Sequence, residues 1–392
     1  MSENDINGTR FDRRANMQRR FLELVSHQKE QDKDKTSFEI RPRAPSESRV
    51  VIDLPLLQDE RLRDVYITST KGLRIGRVLE DLDAMAGEIS YKHAEGFSAL
   101  RSVAIVTATC DRIELVKPIS LVDLRFDGWV TWVGNSSMEV RIEVQQKKSI
   151  EATEFDVCAV AYFVMVARDY KKGGSAPVHT LNIVTEQDGK LYEQGQKNQA
   201  RRKSSAEKAL IRTPPSEGEL QLVHQIFINA QSLKMNSSDS SDHKFMNQSC
   251  MCSTKVMHPQ QKNLHNKIFG GYLMREACDI AWSAAYVFGQ HEPEFMSLDD
   301  NHFIKPVDVG TIVNFNAKVV FVHDDIITVR VEAQVIDPKS SKRQTTNVFH
   351  FGFKTATSKK VIPETYEEAM LYIEGKRIYE KKLHSPNGLD KQ

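Results

Sequence analysis

The segment His265-Asn266-Lys267-Ile268-Phe269-Gly270-Gly271 gathers residue types that can do chemistry. Gly270 and Gly271 let a ligand approach the backbone closely. The residues after them read as a helix, whose first turn carries unpaired N–H groups and a partial positive charge. Such a helix start suits a developing oxyanion or a polarised carbonyl oxygen. Asn266 adds an amide donor just upstream, and His265 belongs to the same loop. The plainer reading is a loop asparagine and a glycine pair needed only for tight helix–sheet packing.

The first half of the chain has a matching segment, Lys71-Gly72-Leu73-Arg74-Ile75-Gly76-Arg77. Aligning Gly76 with Gly271, 195 residues on, sets Lys71 opposite Asn266 and Asp83 opposite Cys278. Asp83 lies about 40° from Leu79 on a helical wheel, inside the Leu79/Leu82/Ala86 apolar face. A carboxylate there is costly unless it is partnered or functional; the plainer reading is a buried hydrogen-bond acceptor or a helix-terminal charge. Glu80 and Asp81 fall off that face and read as solvated or first-turn dipole residues. Asn266 with Asp83 makes a complete donor-and-carboxylate pair, whereas Lys71 with Cys278 has neither role. The expectation is therefore one site, shared between two halves, and one dead twin. Glu276 and Asp279 are rotated away from the Asp83 position and stand as alternates.

Other reactive side chains read as structural. Cys278 is expected to be a buried thiol. Cys250-Met251-Cys252 with His243 and His258 has poor zinc spacing, so no metal site is expected. Arg201-Arg202-Lys203, and Arg74 and Arg77 by the first helix start, could contact phosphates, although a charge run is usually a solvated helix face.

A helix and a sheet, twice over, must position these residues. Residues 75–91 read as a helix. Strands are expected at 103–115, 126–133, 138–145 and 157–166, with Gly134-Asn135 as a hairpin turn. The second half repeats this, with a helix at 268–288 and strands at 312–321, 326–335 and 348–353. Lys117-Pro118 recurs at Lys305-Pro306, an offset of 188, and Phe126 at Phe315, an offset of 189. A period near 190 means a duplicated domain. One long helix followed by an antiparallel sheet packs best with the sheet wrapped round the helix. The expected architecture is α+β, pseudo-twofold, with the site at the seam. The expected division is a flexible segment at 1–50, domains at 62–188 and 244–360, a helical or disordered linker at 189–243 with a loop at 236–242, and a C-terminal helix and tail at 361–392.

Composition bounds the function. The 392 residues carry 54 Lys+Arg and 53 Asp+Glu, a net charge of +1, with 40% apolar residues. Such a balance suits a globular chain of about two or three domains and argues against a nucleic-acid binder. No apolar run reaches the roughly 18–20 residues of a membrane span. Five cysteines are sparse and odd in number, which suggests a reducing compartment. Arg13, Arg14, Arg19 and Arg20 sit among Glu3, Asp5, Asp12 and Glu23, a weak targeting signal that reads equally well as a solvated tail.

Longer motifs carry a resemblance. His265 to Arg275, Asp299-Asp300, Phe303-Ile304-Lys305-Pro306-Val307 and Thr346 to Phe351 are similar to the second-domain signatures of the mitochondrial-type acyl-coenzyme A thioesterases. In the first half, Arg77 to Asp83, Trp132-Val133-Gly134, Ser137 to Val140 and Phe163 to Asp169 agree. The resemblance covers about residues 50–380. It implies a tandem (double) hot dog fold, hydrolysis of acyl-CoA to free fatty acid and CoA without a further cofactor, and a mitochondrial or else cytoplasmic location. It also implies a homo-oligomer, a trimer of double hot dogs. It assigns catalysis to Asp83 and Asn266, the thioester oxygen to the Gly270–Gly271 and His265 region, and CoA contacts to Arg201, Arg202, Arg74 and Ser137. A hot dog 3-hydroxyacyl-CoA dehydratase and a non-enzymatic acyl-CoA-binding protein are the alternatives.

Overall fold

The computed structural model describes residues 17–31, 39–95, 103–149, 152–169, 171–208, 210, 212–235, 242–263 and 265–383. Where described, the first fifty residues are ordered, contrary to the expected flexible segment. Met17–Gln31 forms helix α1 because Met17, Phe21 and Val25, spaced four apart, are all buried. Phe21 lies over Gly87, where a Cβ would stand 3.0 Å from the ring, and Arg20 pairs with Glu88 at 3.0 Å. Three apolar residues among arginines are a narrow stripe, easily lost in a charged composition.

Strand β1 (Pro42–Arg43), the single turn α2 (Pro45–Ser48), β2 (Val50–Leu54) and α3 (Glu60–Tyr66) follow. They lead to the long helix α4 (Ile75–His93). Strands β3 (Val103–Leu115), β4 (Leu124–Val133), β5 (Ser137–Lys147) and β6 (Phe155–Asp169) complete an antiparallel sheet in the order β2-β4-β5-β6-β3. Val78, Leu79, Leu82, Met85 and Ile89 of α4 fill its concave side, with Gly128 leaving room for Ile89. Strand β7 (Gly174–Ser175), paired with β6, and strand β8 (Thr180–Leu181), paired with β1, lead to helix α5 (Glu186–Lys208).

The second repeat begins after α6 (Glu217–Met235) with β9 (His243–Phe245), a 3-10 turn and β10 (Met251–Val256). Helix α7 (Gly270–Gly289) comes next. Strands β11 (Glu294–Phe303), β12 (Ile312–His323), β13 (Ile326–Ile336) and β14 (Arg343–Lys354) follow, then β15 (Lys360–Ile362) and helix α8 (Tyr366–Leu383). The sheet order is β10-β12-β13-β14-β11. A helix in an antiparallel wrap, twice, is the tandem hot dog fold.

The duplication is finer than the strand pattern. The bulge at Val130/Trp132 recurs at Val319/Phe321, and that at Val144/Gln145 recurs at Ala333/Gln334. Bulges bend and twist a strand at a fixed place, so both sheets curve at the same points. Ser48 Oγ accepts from the Val130 N–H at 3.1 Å, and Ser249 Oγ from the Val319 N–H at 3.1 Å. The parallel pair β1–β8 likewise matches β9–β15. The first repeat therefore begins near Pro42, not at 62.

The expected linker also needs correction. Helix α5 lies on the sheet face opposite α4, where Gly195 meets Trp132 and Asn198 Nδ2 donates to Glu139 Oε1 at 2.9 Å. Helix α8 does the same in the second repeat: a Cβ on Gly375 would stand 2.8 Å from Phe321, the counterpart of Trp132. Each repeat thus ends in its own outer helix. Residues 236–241 of the expected loop lie outside the described residues.

The chain packs as two compact units, Met1–Gln199 with His258–Arg275, and Ala200–Met257 with Glu276–Gln392. The boundary expected near 244 is therefore displaced. The loop and first helical turn of the second repeat pack inside the first unit.

Candidate active site

The two helix starts are built alike. Ile67 bridges Leu73, and Lys262 bridges Ile268, 195 residues on. Thr68 N–H donates to Gly72 O at 2.9 Å, and Asn263 N–H to Lys267 O at 2.7 Å. At the loop tips Lys71 has φ 66° and Asn266 φ 57°. This is the left-handed region, which asparagine tolerates better than lysine. Asn266 therefore has a backbone reason for its identity as well as a chemical one. Its side chain is exposed.

The loop delivers α7 to α4. Asp83 of α4 is 1% exposed. Its Oδ2 accepts from the Gly271 N–H at 2.6 Å, and its Oδ1 from Thr107 Oγ1 of β3 at 2.9 Å. Residues 188 apart in sequence, one from each repeat, thus meet within one compact unit. A Cβ on Gly271 would stand 2.8 Å from the Glu80 carbonyl oxygen and 3.0 Å from Asp83 Cβ, so glycine is required for the approach. Burial pushes the Asp83 carboxyl up to about 6, against the lowering effect of the Thr107 and Gly271 hydrogen bonds. A carboxylate so placed is ionised at neutral pH and a stronger base than an exposed one.

Glu80 and Asp81 are buried, not solvated. Helix α4 has no wet face here, because the sheet covers one side and α1, α3 and the 258–275 loop lie against others. The charges pair instead. Glu80 Oε2 accepts from Arg77 Nη1 at 2.7 Å and from Arg275 Nη1 at 2.6 Å. Arg77 Nη2 stands 3.0 Å from Asp81 Oδ1, and the Tyr66 hydroxyl donates to Asp81 Oδ2. Burial pushes the Asp81 carboxyl up to about 6 despite Arg77.

Of the other expected site residues, Gly270 opens α7 and His265 donates its N–H to Asn263 Oδ1 at 2.9 Å. Arg74 precedes α4 as its N-cap. Ser137 opens β5, one rung from Met138, which aligns through Met165 of β6 with Thr107. Arg201 and Arg202 are half-buried on α5, in the part belonging to the second unit. Cys278 is buried in α7, and none of the five cysteines is in a disulfide. Among the described residues no group of three His, Cys, Asp or Glu could hold a metal ion, and no helix is long and apolar enough to cross a membrane. Sequence reasoning missed Thr107 and Arg275. Neither has a local signature, since what marks them is the residue they face after folding.

The family model of the thioesterase superfamily matches residues 76–153, from the start of α4 to the turn before β6. The chain is 37% identical over 359 residues to acyl-coenzyme A thioesterase 9, mitochondrial, of Mus musculus, covering 89% of this chain and 81% of that one. It is 37% identical over 347 residues to the Homo sapiens protein of the same name, covering 86% and 78%. It is 34% identical over 366 residues to acyl-coenzyme A thioesterase 2, chloroplastic, of Humulus lupulus, covering 86% and 81%. The chain belongs to the acyl-coenzyme A thioesterase family of thioester hydrolases.

Proposed function

We propose that this protein hydrolyses acyl-CoA thioesters to free fatty acid and CoA at one site built on Asp83. The observation that supports this is the buried Asp83 carboxylate held between Thr107 and the Gly271 N–H. In our reading Asp83 takes a proton from water as the water oxygen attacks the thioester carbon. The tetrahedral intermediate collapses, the C–S bond breaks, and Asp83 returns the proton to the CoA sulfur. Direct attack by Asp83 to give a mixed anhydride, later cleaved by water, is the variant route. The Gly271 N–H, expected to hold the thioester oxygen, is engaged by Asp83. We therefore assign that oxygen to the Asn266 amide, with His265 and Gly270 as neighbours on the same loop.

Coenzyme A enters as part of the substrate, and the reaction as written needs no cofactor. We place its phosphates near Arg74 and Ser137. We also propose a mitochondrial location, as in the names of the animal relatives, and assembly as a homo-oligomer, a trimer of double hot dogs. A dehydratase would pair its carboxylate with a histidine, whereas here a hydroxyl and a backbone N–H occupy both oxygens.

The deciding experiment is release of free thiol from acyl-CoA by the wild type and by Asp83→Asn. The substitution should lower kcat by roughly 10²–10⁴, the range for a lost general base. Binding without thiol release by the wild type would make the chain a scaffold. Wild-type turnover in folded Asp83→Asn would remove Asp83 from the chemistry.

A further inference from the structure

Two contacts join the start of α7 to α4, and they form a ladder. Gly271 and Arg275 are four apart on one face of α7; Asp83 and Glu80 are three apart on one face of α4. Gly271 meets Asp83 at 2.6 Å and Arg275 meets Glu80 at 2.6 Å. The two residues of the second rung are themselves repeat equivalents, Glu80 and Arg275 being 195 apart. Glu80 is 3% exposed, and its Oε2 is shared by the two guanidiniums of Arg77 and Arg275. A buried ion pair is seldom worth more than well-packed apolar side chains, but it fixes geometry when each partner is satisfied.

We propose that Glu80 and Arg275 are positioning residues for the reaction, their buried pair fixing how the Gly271 N–H meets Asp83. This rests on the assignment of Asp83 as base and deepens it. Packing places the Gly271 Cα against Glu80, one point of contact for the helix start. The Arg275–Glu80 pair, one turn further on, adds a second. The groups facing Asp83 are Glu80 from its own helix, Thr107 from β3 and the Gly271 N–H from α7. Arg275, Arg77, Asp81 and Tyr66 stand behind Glu80. Glu80 is the like charge that opposes ionisation of Asp83, and the arginines offset it.

The test is the pH profile of kcat/KM, with kcat and KM separately, for the full chain carrying Arg275→Met or Glu80→Gln. Arg275→Met should lower kcat about tenfold or more with KM within about threefold, as for a misplaced catalytic group. It should also move the acid limb to higher pH, because Glu80 loses a counter-charge. Glu80→Gln keeps an oxygen for both guanidiniums, so kcat should fall less, while the limb moves to lower pH. The limb shifts report the charges around Asp83; a fall in kcat at nearly constant KM in a folded variant is what a pair that only supports folding would not give. If Arg275→Met yields no folded enzyme, Arg275→Lys, which keeps the charge but not the guanidinium geometry, should still lower kcat with the limb unmoved, and Glu80→Gln carries the limb shift. Unmoved limbs with wild-type kcat in the folded variants would overturn the proposal. Asp83→Asn in parallel separates the two ideas. If it retains full turnover, the base assignment falls. If it is inactive while the Glu80 and Arg275 variants behave as wild type, positioning alone falls.

Discussion

Asp83 gains its basicity from burial, and burial has a cost that can be measured. Its carboxyl titrates near 3.8 when unperturbed and about 6 in the fold. Below about pH 3 it is neutral in both folded and unfolded chains and contributes nothing. As pH rises from there to 6, the unfolded chain loses its proton first, so folding stability falls, by about 3 kcal/mol once pH exceeds 6. Asp83→Asn should therefore melt higher than the wild type at pH 7–8, with this gain fading towards about pH 3, as calorimetry across pH would show. In the wild type kcat/KM should rise with pH through an apparent pKa near 6. Asp81 shares that value, so the limb must survive in Asp81→Asn if it belongs to Asp83. Cys278, at the repeat position of Asp83, is buried; Cys278→Ser should leave turnover within a few-fold. Substrate-protected inactivation by a thiol reagent, abolished in Cys278→Ala, would contradict that.

The helix starts explain why the chemistry sits where it does. Both repeats use the same bridged loop with a left-handed tip, and both place a glycine five residues later. Of these two glycines, Gly271 delivers its N–H to a carboxylate. Gly271→Ala would drive a methyl to 2.8 Å from the Glu80 backbone oxygen, an atom with little freedom to move. The expected cost is about 1–3 kcal/mol, as for overpacking, together with a loss of at least about tenfold in kcat as the N–H draws away from Asp83. A variant with wild-type melting and turnover would show that α7 is free to shift. The same close packing accounts for the charges of α4. A helix enclosed by a sheet, two helices and a loop has no solvent side, and Arg77, Glu80 and Asp81 must neutralise one another.

We propose that duplication allowed two sites and that the chain keeps the residues of one. Asp83 and the His258–Arg275 segment belong to a single compact unit of one chain, so complementation between chains should fail. Full-length Asp83→Ala and Asn266→Ala, each inactive alone, should remain inactive after co-refolding, since every chain then lacks one partner. Recovered activity would mean that the 258–275 segment exchanges between chains. A fragment ending before His258 lacks Gly271 and should be inactive even when folded. Hydrolysis by such a fragment would refute the shared site.

The sequence alone determined the tandem repeat, because apolar periodicity, hairpin turns and the recurring Lys-Pro and Gly signals are local and survive without knowledge of contacts. It also marked Asp83 as a buried carboxylate, since its place within the Leu79/Leu82/Ala86 face is visible on a helical wheel. The tertiary structure decided what surrounds that carboxylate. Thr107 is one threonine in a β-branched strand until the sheet curls it onto α4. Arg275 carries no local mark, and Glu80 reads as a charge off the apolar face, until the two helix starts meet. Helix α1 and the outer helix α5 hid in charged stretches, because a helix that buries only Phe21 and its neighbours, or docks through Gly195, needs few apolar residues. Periodicity reports which face of an element is buried. What that face meets depends on packing between distant segments, which no local pattern encodes.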